Sequence, residues 1–541
     1  MLVIVLVGWL PGVLLLPPLD RDESRFAEAS RQMVESGNYI DIRFANAPRY
    51  NKPVGIYWLQ SASTLFWGPA LRDRIWVYRL PSLLGGLLSL MFLYALARAI
   101  APPKTALLAS LLLGTTFLLT IESTMATTDA ALLAAIIAAQ AALMRVYLAA
   151  HGKAQPSRML VYGGWAALGA GLLLKGPVIA AVLVVTALAL SLWDRNWRWL
   201  SGARPLSGAA LALVIVAPWA IAIALTSHGA FYRQSLGHDF GAKILGGEES
   251  HGAPPGYYFV LASVTFWPAI LLLLPALQSA ILKRDNPAIR FLIAWSGATW
   301  LLFECVPTKL PHYILPAYPA LALLAAVWAT APKAGTEGRW ARILRYVACA
   351  QFATVALALA GLCLFLPGRF GGTVGLPLLA GAAVGVLAAC AAVVLLFRRR
   401  AECAAAPGMS CALVFDLLLA FAVAPQLHQL WLSPRAAALV AAHRNSARTP
   451  VVLDGYVEPS LVFLLGSDTH IESPAGAAVA AQEGGLALVE RRVQPLFLSD
   501  LRRLGRSASP LGSVSGLDYS TGREQHMTLY RVSRELSGPS K

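Results

Sequence analysis

Apolar runs of about 18 to 25 residues recur along this chain, and each is long enough to cross a bilayer as a helix. They fall near 2–18, 78–98, 105–121, 128–149, 160–174, 177–193, 207–226, 257–281, 289–304, 313–331, 346–366, 374–397 and 411–431. Within hydrocarbon, backbone N–H and C=O groups must be satisfied inside the segment, so runs of this kind become helices. The composition agrees: 57% of residues are hydrophobic and 13% charged, where a soluble domain carries roughly a quarter charged. The pattern predicts an α-helical polytopic membrane protein with about 13 transmembrane helices. The first run lacks a basic leader, and its end, LLLPPLDRDE, has no small-x-small cleavage site, so it reads as a retained span.

The formal net charge is +16. The basic residues fall between spans rather than in one patch, which argues against nucleic acid as a partner. With a cytoplasmic N-terminus, one set of loops holds Arg98, Lys104, Arg158, Arg195, Arg198, Arg284, Arg342 and Arg398 to Arg400. The opposite short loops hold few cations, chiefly Lys175, Arg233, Lys243, Lys309 and Arg369. This is the positive-inside distribution. The loop at 19–77 breaks it, being basic on the translocated side, and a bound anion explains that better than topology does. The six cysteines lack metal-ligand spacing, which argues against a zinc site or a disulfide framework.

After Trp431 the chain turns polar. VVLDGY (451–456), LALVERRV and MTLYRVS read as strands, and EPSLVFLLG reads as a helix ending at Gly466. Residues 1–432 thus form a transmembrane domain, and 433–541 a small C-terminal soluble α/β domain on the same side as loop 19–77. The inverted halves expected of many transporters are not evident.

Several charged groups gather on that one face. Asp20, Asp22, Glu23 and Arg25 open what reads as an amphipathic helix on the membrane surface. Acids there either complement the helix dipole or supply a carboxylate that takes a proton from an acceptor. Arg49-Tyr50-Asn51-Lys52-Pro53 reads either as an interfacial anchor or as a phosphate site built on Lys52. Asp129 stands at a span start, as a cap or as a second functional acid. Lys175 lies in a turn between spans, where it can snorkel. Lys309-Leu310-Pro311-His312-Tyr313 could contact a lipid phosphate or sugar, or form part of an aromatic belt. His238, Asp239 and His251 in the loop at 228–258 match no standard metal spacing. Asp454, Glu458 and His470 are scattered through the C-terminal domain and form no catalytic cluster.

Five segments in order, DESRFAE, RYNKPVGIYWL, STMATTDAALL, LLKGPV and KLPHYILPAYPAL, resemble the bacterial lipid A aminoarabinose transferases and the protein O-mannosyltransferase-like families. These are GT-C class membrane glycosyltransferases. The resemblance covers the membrane part and thins after about residue 370. It implies a polyprenyl-phosphate-linked sugar as donor and an active site at the periplasmic membrane surface of a bacterial inner membrane. Carried over by motif, Asp22 and Asp129 match catalytic acids, and Arg25 matches the arginine of the first motif. Lys52 matches the lysine that contacts the donor phosphate, and Tyr313 the tyrosine of the KLPxYxLP element. Lys175 and Lys309 match recurring basic positions. Two departures stand out. Asn51 replaces a common Glu, which removes the acid on which a divalent metal site would rest, and Phe26 replaces a common Tyr.

The resemblance implies an inverting glycosyltransferase with no required cofactor, a divalent metal being left open but not supported by Asn51. Departure of the sugar leaves a phosphate monoester whose growing charge Lys52 and Arg25 can stabilise. The implied acceptor is lipid A or another envelope glycan or protein, with protein O-glycosylation as the alternative. A lipid or solute transporter and a noncatalytic membrane scaffold are the readings from other classes.

Overall fold

The computed structural model describes residues 1–19, 21–45, 47–240, 252–332, 338–444, 451–467, 469–471, 476–483 and 485–534. The chain opens with Leu2–Leu15 (α1), Asp22–Ser36 (α2), Gly55–Trp67 (α3), Ile75–Ala97 (α4), Pro103–Gly114 (α5), Phe117–Thr124 (α6), Asp129–Ala150 (α7) and Arg158–Lys175 (α8). Each predicted apolar run coincides with a helix or a helix pair. Among the described residues, eight helices are long and apolar enough to cross a membrane, or nine if α5 and α6, bent by 65°, form one span. Three shorter apolar helices, α1, Val178–Asp194 and Ile270–Leu282, accompany them. By length and composition the full spans are thus fewer than the thirteen expected, because several runs break into short or bent helices. At the α5–α6 bend the Thr115 and Thr116 hydroxyls donate to the carbonyls of Leu111 (2.9 Å) and Leu113 (2.7 Å), adding to the backbone N–H bonds that those carbonyls already accept.

A single buried ion pair organises the entrance to this bundle. Arg79, inside α4, grips Glu23 with two parallel bonds, Nε to Oε1 at 2.7 Å and Nη2 to Oε2 at 2.9 Å. Its remaining N–H groups reach the carbonyls of Val13 (3.0 Å), Leu16 (2.7 Å) and Pro17 (2.9 Å), satisfying the open C-terminus of α1. Glu23 in turn accepts from the amides of Leu19 (2.9 Å) and Ala126 (2.8 Å). The end of α1, the start of α2, α4 and the segment before α7 are thereby tied at one point. Neither side chain has any exposure. Glu23→Ala will therefore strand the guanidinium and cost about 3–5 kcal/mol. The loss is read as a lower thermal-unfolding midpoint in detergent, and an unchanged midpoint would contradict it.

The helix at 22–36 is amphipathic as its pattern suggests, but protein covers its polar face. It is enclosed: Glu23, Ser24, Glu28 and Ser30 are fully buried. Ser30 donates to Gln60 of α3 at 2.7 Å. The polar face that looked like a solvated one is covered by the C-terminal domain, whose helix Pro459–Leu465 packs against α2.

That domain is a five-stranded sheet. The strand order is Thr469–Ile471, Val451–Asp454, Gly485–Glu490, Arg523–Arg534 and Arg506–Asp518. The first three are parallel and the last two antiparallel. Val451 and Leu453 face one core with Leu461 and Val462, while Val452 faces another with Phe497 and Leu501. A sheet buried on both faces needs continuous apolar strands, which is why VVLD and LALV were legible. The strand Arg506–Asp518 is polar, lies at the sheet edge and carries an irregularity between Pro510 and Gly512, so it lacks that signature.

Candidate active site

The loop between α2 and α3 is held by its own polar and aromatic groups. Tyr50 donates to Asp41 at 2.8 Å, and burial followed by that bond pushes the phenol up to about 12. Trp58 Nε1 donates to the carbonyl of Tyr39 at 2.8 Å. Arg49 reaches Tyr57 at 3.2 Å, lies over the Phe26 ring at 5.1 Å and faces Asp22 at 3.7 Å. Phe26 also packs on Tyr57, centroids 5.5 Å apart. The aromatic without a hydroxyl thus seats the Arg49 guanidinium.

Two glycines let this loop meet the end of α8. A Cβ on Gly55 would come within 2.7 Å of the Leu173 carbonyl oxygen, so only glycine permits the approach of α3 to α8. Gly176, at φ 66°, stops α8 directly after Lys175. The result brings Lys52 and Lys175 to the same two cavities, each of about 250 Å³. One cavity is completed by Asp129, His312, Tyr313, Phe303 and Leu302. The other is lined by Trp219, Phe231, Tyr232 and Ala220.

Asp129, first residue of α7, accepts from Lys175 Nζ at 2.6 Å and from the Thr128 hydroxyl at 3.2 Å. The same ammonium stands 5.5 Å from the centre of the Tyr313 ring. Tyr313 is wedged between Phe303 (5.9 Å) and His312 (4.9 Å). Behind His312 lies Glu122 of α6, its Oε1 4.0 Å from Nδ1 and its Oε2 accepting from Thr127 at 2.8 Å. Lys52, Asp129 and Lys175, from three separate motifs, line the same cavity as His312.

Asp22 is placed differently. Its carboxylate is two-thirds exposed at the N-terminus of α2, beside Arg49. Arg25 lies one turn further along α2. Burial, and then the neighbouring Arg49, push the pKa of Arg25 below its usual value, with Asp22 and Glu458 of the C-terminal domain opposing this.

The structure therefore brings together Lys52, Asp129, Lys175 and Tyr313 around one cavity, whereas Asp22, which faces Arg49, and Arg25 stand on α2 and line neither cavity. Lys309 does not join them. It is buried, and its ammonium donates to the Val306 carbonyl at 2.8 Å, closing the turn that precedes His312. Tyr258 supports the same turn by donating to Leu310 at 3.1 Å. Reasoning from sequence missed Glu122 and Arg79, although Arg79 lies inside an apolar run and Glu122 directly after one, which is itself a signal. It also missed Trp219 and Phe231, which carry none. The side chains of His238 and Asp239, and the whole of Asp20 and His251, lie outside the described residues. Among those described, no three His, Cys, Asp or Glu side chains group as metal ligands.

Comparison with known proteins agrees with this architecture. The family described as dolichyl-phosphate-mannose-protein mannosyltransferase matches residues 11–230. An undecaprenyl phosphate-alpha-4-amino-4-deoxy-L-arabinose arabinosyl transferase of Pseudomonas paraeruginosa is 29% identical over 324 residues, 58% of this chain and 57% of its own length. The corresponding protein of Erwinia tasmaniensis is 31% identical over 311 residues, 56% of this chain and 54% of its own. The chain thus spans a little over half the length of these relatives. The crystal structure of ArnT from Cupriavidus metallidurans bound to undecaprenyl phosphate superposes with a TM-score of 0.76 at 19% identity, covering 99% of this chain and 98% of that one. The chain has the GT-C fold, with a C-terminal sheet domain, and resembles the lipid A aminoarabinose transferases.

Proposed function

We propose that this protein is an inverting glycosyltransferase that moves a sugar from a polyprenyl-phosphate donor to lipid A or another envelope acceptor at the periplasmic face of the bacterial inner membrane. The observation that carries the reading is that Lys52 and Lys175 line two adjoining cavities at once. A donor of this class has a polar sugar on one side of its phosphate and a hydrocarbon chain on the other. The cavity with Asp129, His312 and Tyr313 suits the sugar, and the one with Trp219 and Phe231 suits the first isoprene units. The phosphate between them meets two ammonium groups.

In this reading an acceptor oxygen attacks the anomeric carbon from the face opposite the phosphate. A C–O bond to the acceptor forms as the C–O bond to the phosphate breaks, and the electron pair leaves with the phosphate. One displacement inverts the centre. Lys52 stabilises the charge that grows on the leaving phosphate, with Arg25 supporting the field from α2. Asp129 fixes Lys175 and presents its second oxygen near the sugar. Asp22 orients the acceptor, and takes its proton when the acceptor is a hydroxyl. The donor carries its own leaving group, so the reaction as proposed requires no nucleotide, metal or other cofactor. The acceptor we favour is lipid A.

The experiment is mass spectrometry of lipid A and other envelope glycans from cells with and without the gene. The expected result is the loss of one sugar unit from lipid A in the deletion, restored by the wild-type gene. Unchanged masses across all envelope glycans and glycoproteins would overturn the reading.

A further inference from the structure

We propose that the C-terminal domain positions the segments that carry Asp22 and Asp129, and that Phe463 is the positioning residue through which it does so. The inference rests on the transfer reading above. Phe463 sits on the short helix Pro459–Leu465 yet has no exposure, because it is inserted into the membrane domain. It packs with Ala27 of α2, with Ile75, Val77 and Tyr78 of α4, and with Ala126. Its ring meets Tyr78 edge-on at 5.4 Å. The Arg31 guanidinium of α2 lies over the same ring at 5.0 Å, donates to the Phe463 carbonyl at 2.9 Å and pairs with Glu28. Two outer contacts frame this plug. Ser467 donates to Glu35 at the end of α2 at 2.6 Å, and Arg21, next to Asp22, donates to the Ser520 carbonyl at 3.0 Å.

The segments that Phe463 touches are the ones that carry the acids. The start of α2 bears Asp22 and Arg25. Ala126 lies three residues before Asp129, and its amide is bonded to Glu23. Gln60 Nε2 also holds the Ala126 carbonyl, at 3.3 Å. Phe463 lines neither cavity, so its effect on chemistry runs through these backbones. A plug this well packed is a local latch: removing the ring opens a void against Ala27 and Ala126, on the two segments that carry the acids.

The test uses the full chain in lipid nanodiscs, with undecaprenyl-phosphate 4-amino-4-deoxy-L-arabinose as donor probe and lipid A as acceptor probe. Phe463→Ala should lower kcat tenfold or more while donor KM stays within twofold, and Phe463→Met should recover at least half of the loss. Hydrogen exchange should rise at the amides of residues 21–31 and stay unchanged in the helix Pro205–Thr226. Folded Phe463→Ala with kcat within twofold of wild type and unchanged exchange would overturn the inference. Should that variant fail to fold, Arg31→Lys decides the matter. It keeps a charge opposite Glu28 but loses the fork that reaches Phe463. It should lower kcat at least threefold with the same local rise in exchange, and wild-type values in both would overturn the inference. An inactive wild-type protein would count against the transfer reading instead, while the exchange measurement would still judge the latch.

Discussion

Lys52→Ala will lower kcat for sugar transfer from a polyprenyl-phosphate donor by about 10²–10³-fold, the loss expected when one preorganised group facing developing charge is removed. The donor phosphate begins as a diester with one negative charge and leaves as a monoester approaching two. An ammonium beside it is therefore worth more in the transition state than in the ground state, which is the condition for an effect on kcat. Lys175 cannot substitute fully, because its ammonium is matched by Asp129 at 2.6 Å and lies over the Tyr313 ring. Since Lys52 meets the phosphate in the ground state too, KM for the donor should rise, and kcat/KM should fall further than kcat. Lys52→Arg should recover only part of the activity, because a planar fork replaces a compact point charge in a confined space. Thermal unfolding of Lys52→Ala close to that of wild type would confirm that chemistry, not folding, is affected. A kcat within threefold of wild type would sink the assignment of Lys52 to the leaving phosphate.

How much of this site was legible before any coordinates depended on the range of the signal. Lys52, Asp129, Lys175 and Tyr313 each sit in a short motif, and one topology put all of them on the same face. Local chemistry plus span counting was enough to expect their company. The pairings that build the frame are of another kind. Arg79 and Glu23 are 56 residues apart, and Arg31 and Phe463 are 432 apart. Nothing in local periodicity links such positions, so Glu23 read only as one of several acids opening a helix, and the segment EPSLVFLLG only as a helix of the C-terminal domain. The helix at 22–36 shows the same limit. Its polar pattern correctly indicated an amphipathic helix, but pattern cannot tell whether a polar face meets water or a second domain with buried ion pairs. Lys309 illustrates the converse case. Its motif is intact, yet its ammonium is used to close the backbone turn that aims His312 and Tyr313 at the cavity.

The exposed position of Asp22 leads to a prediction whose size depends on the acceptor. Asp22→Asn keeps the side-chain shape at the start of α2 and removes only the charge, so the helix and the neighbouring Glu23–Arg79 pair should survive. If the acceptor is a hydroxyl, its proton must be taken as the new bond forms, and losing a positioned base costs about 10²–10⁴-fold. A phosphate acceptor differs. With a second pKa near about 6 it is already largely ionised at neutral pH. Asp22 then serves to orient Arg49, 3.7 Å away, toward the incoming anion, and the loss should be about tenfold or less. The two cases separate cleanly when the same Asp22→Asn preparation is given an acceptor with phosphates, such as lipid A, and one with only hydroxyls. We expect the modest loss with lipid A and the severe one with the hydroxyl acceptor. Wild-type rates with both would remove Asp22 from the mechanism and leave Asp129 as the acid near the reacting carbon. A severe loss with both would mean that the carboxylate holds the acceptor rather than its proton, because charge on the acceptor would then make no difference to what the carboxylate contributes.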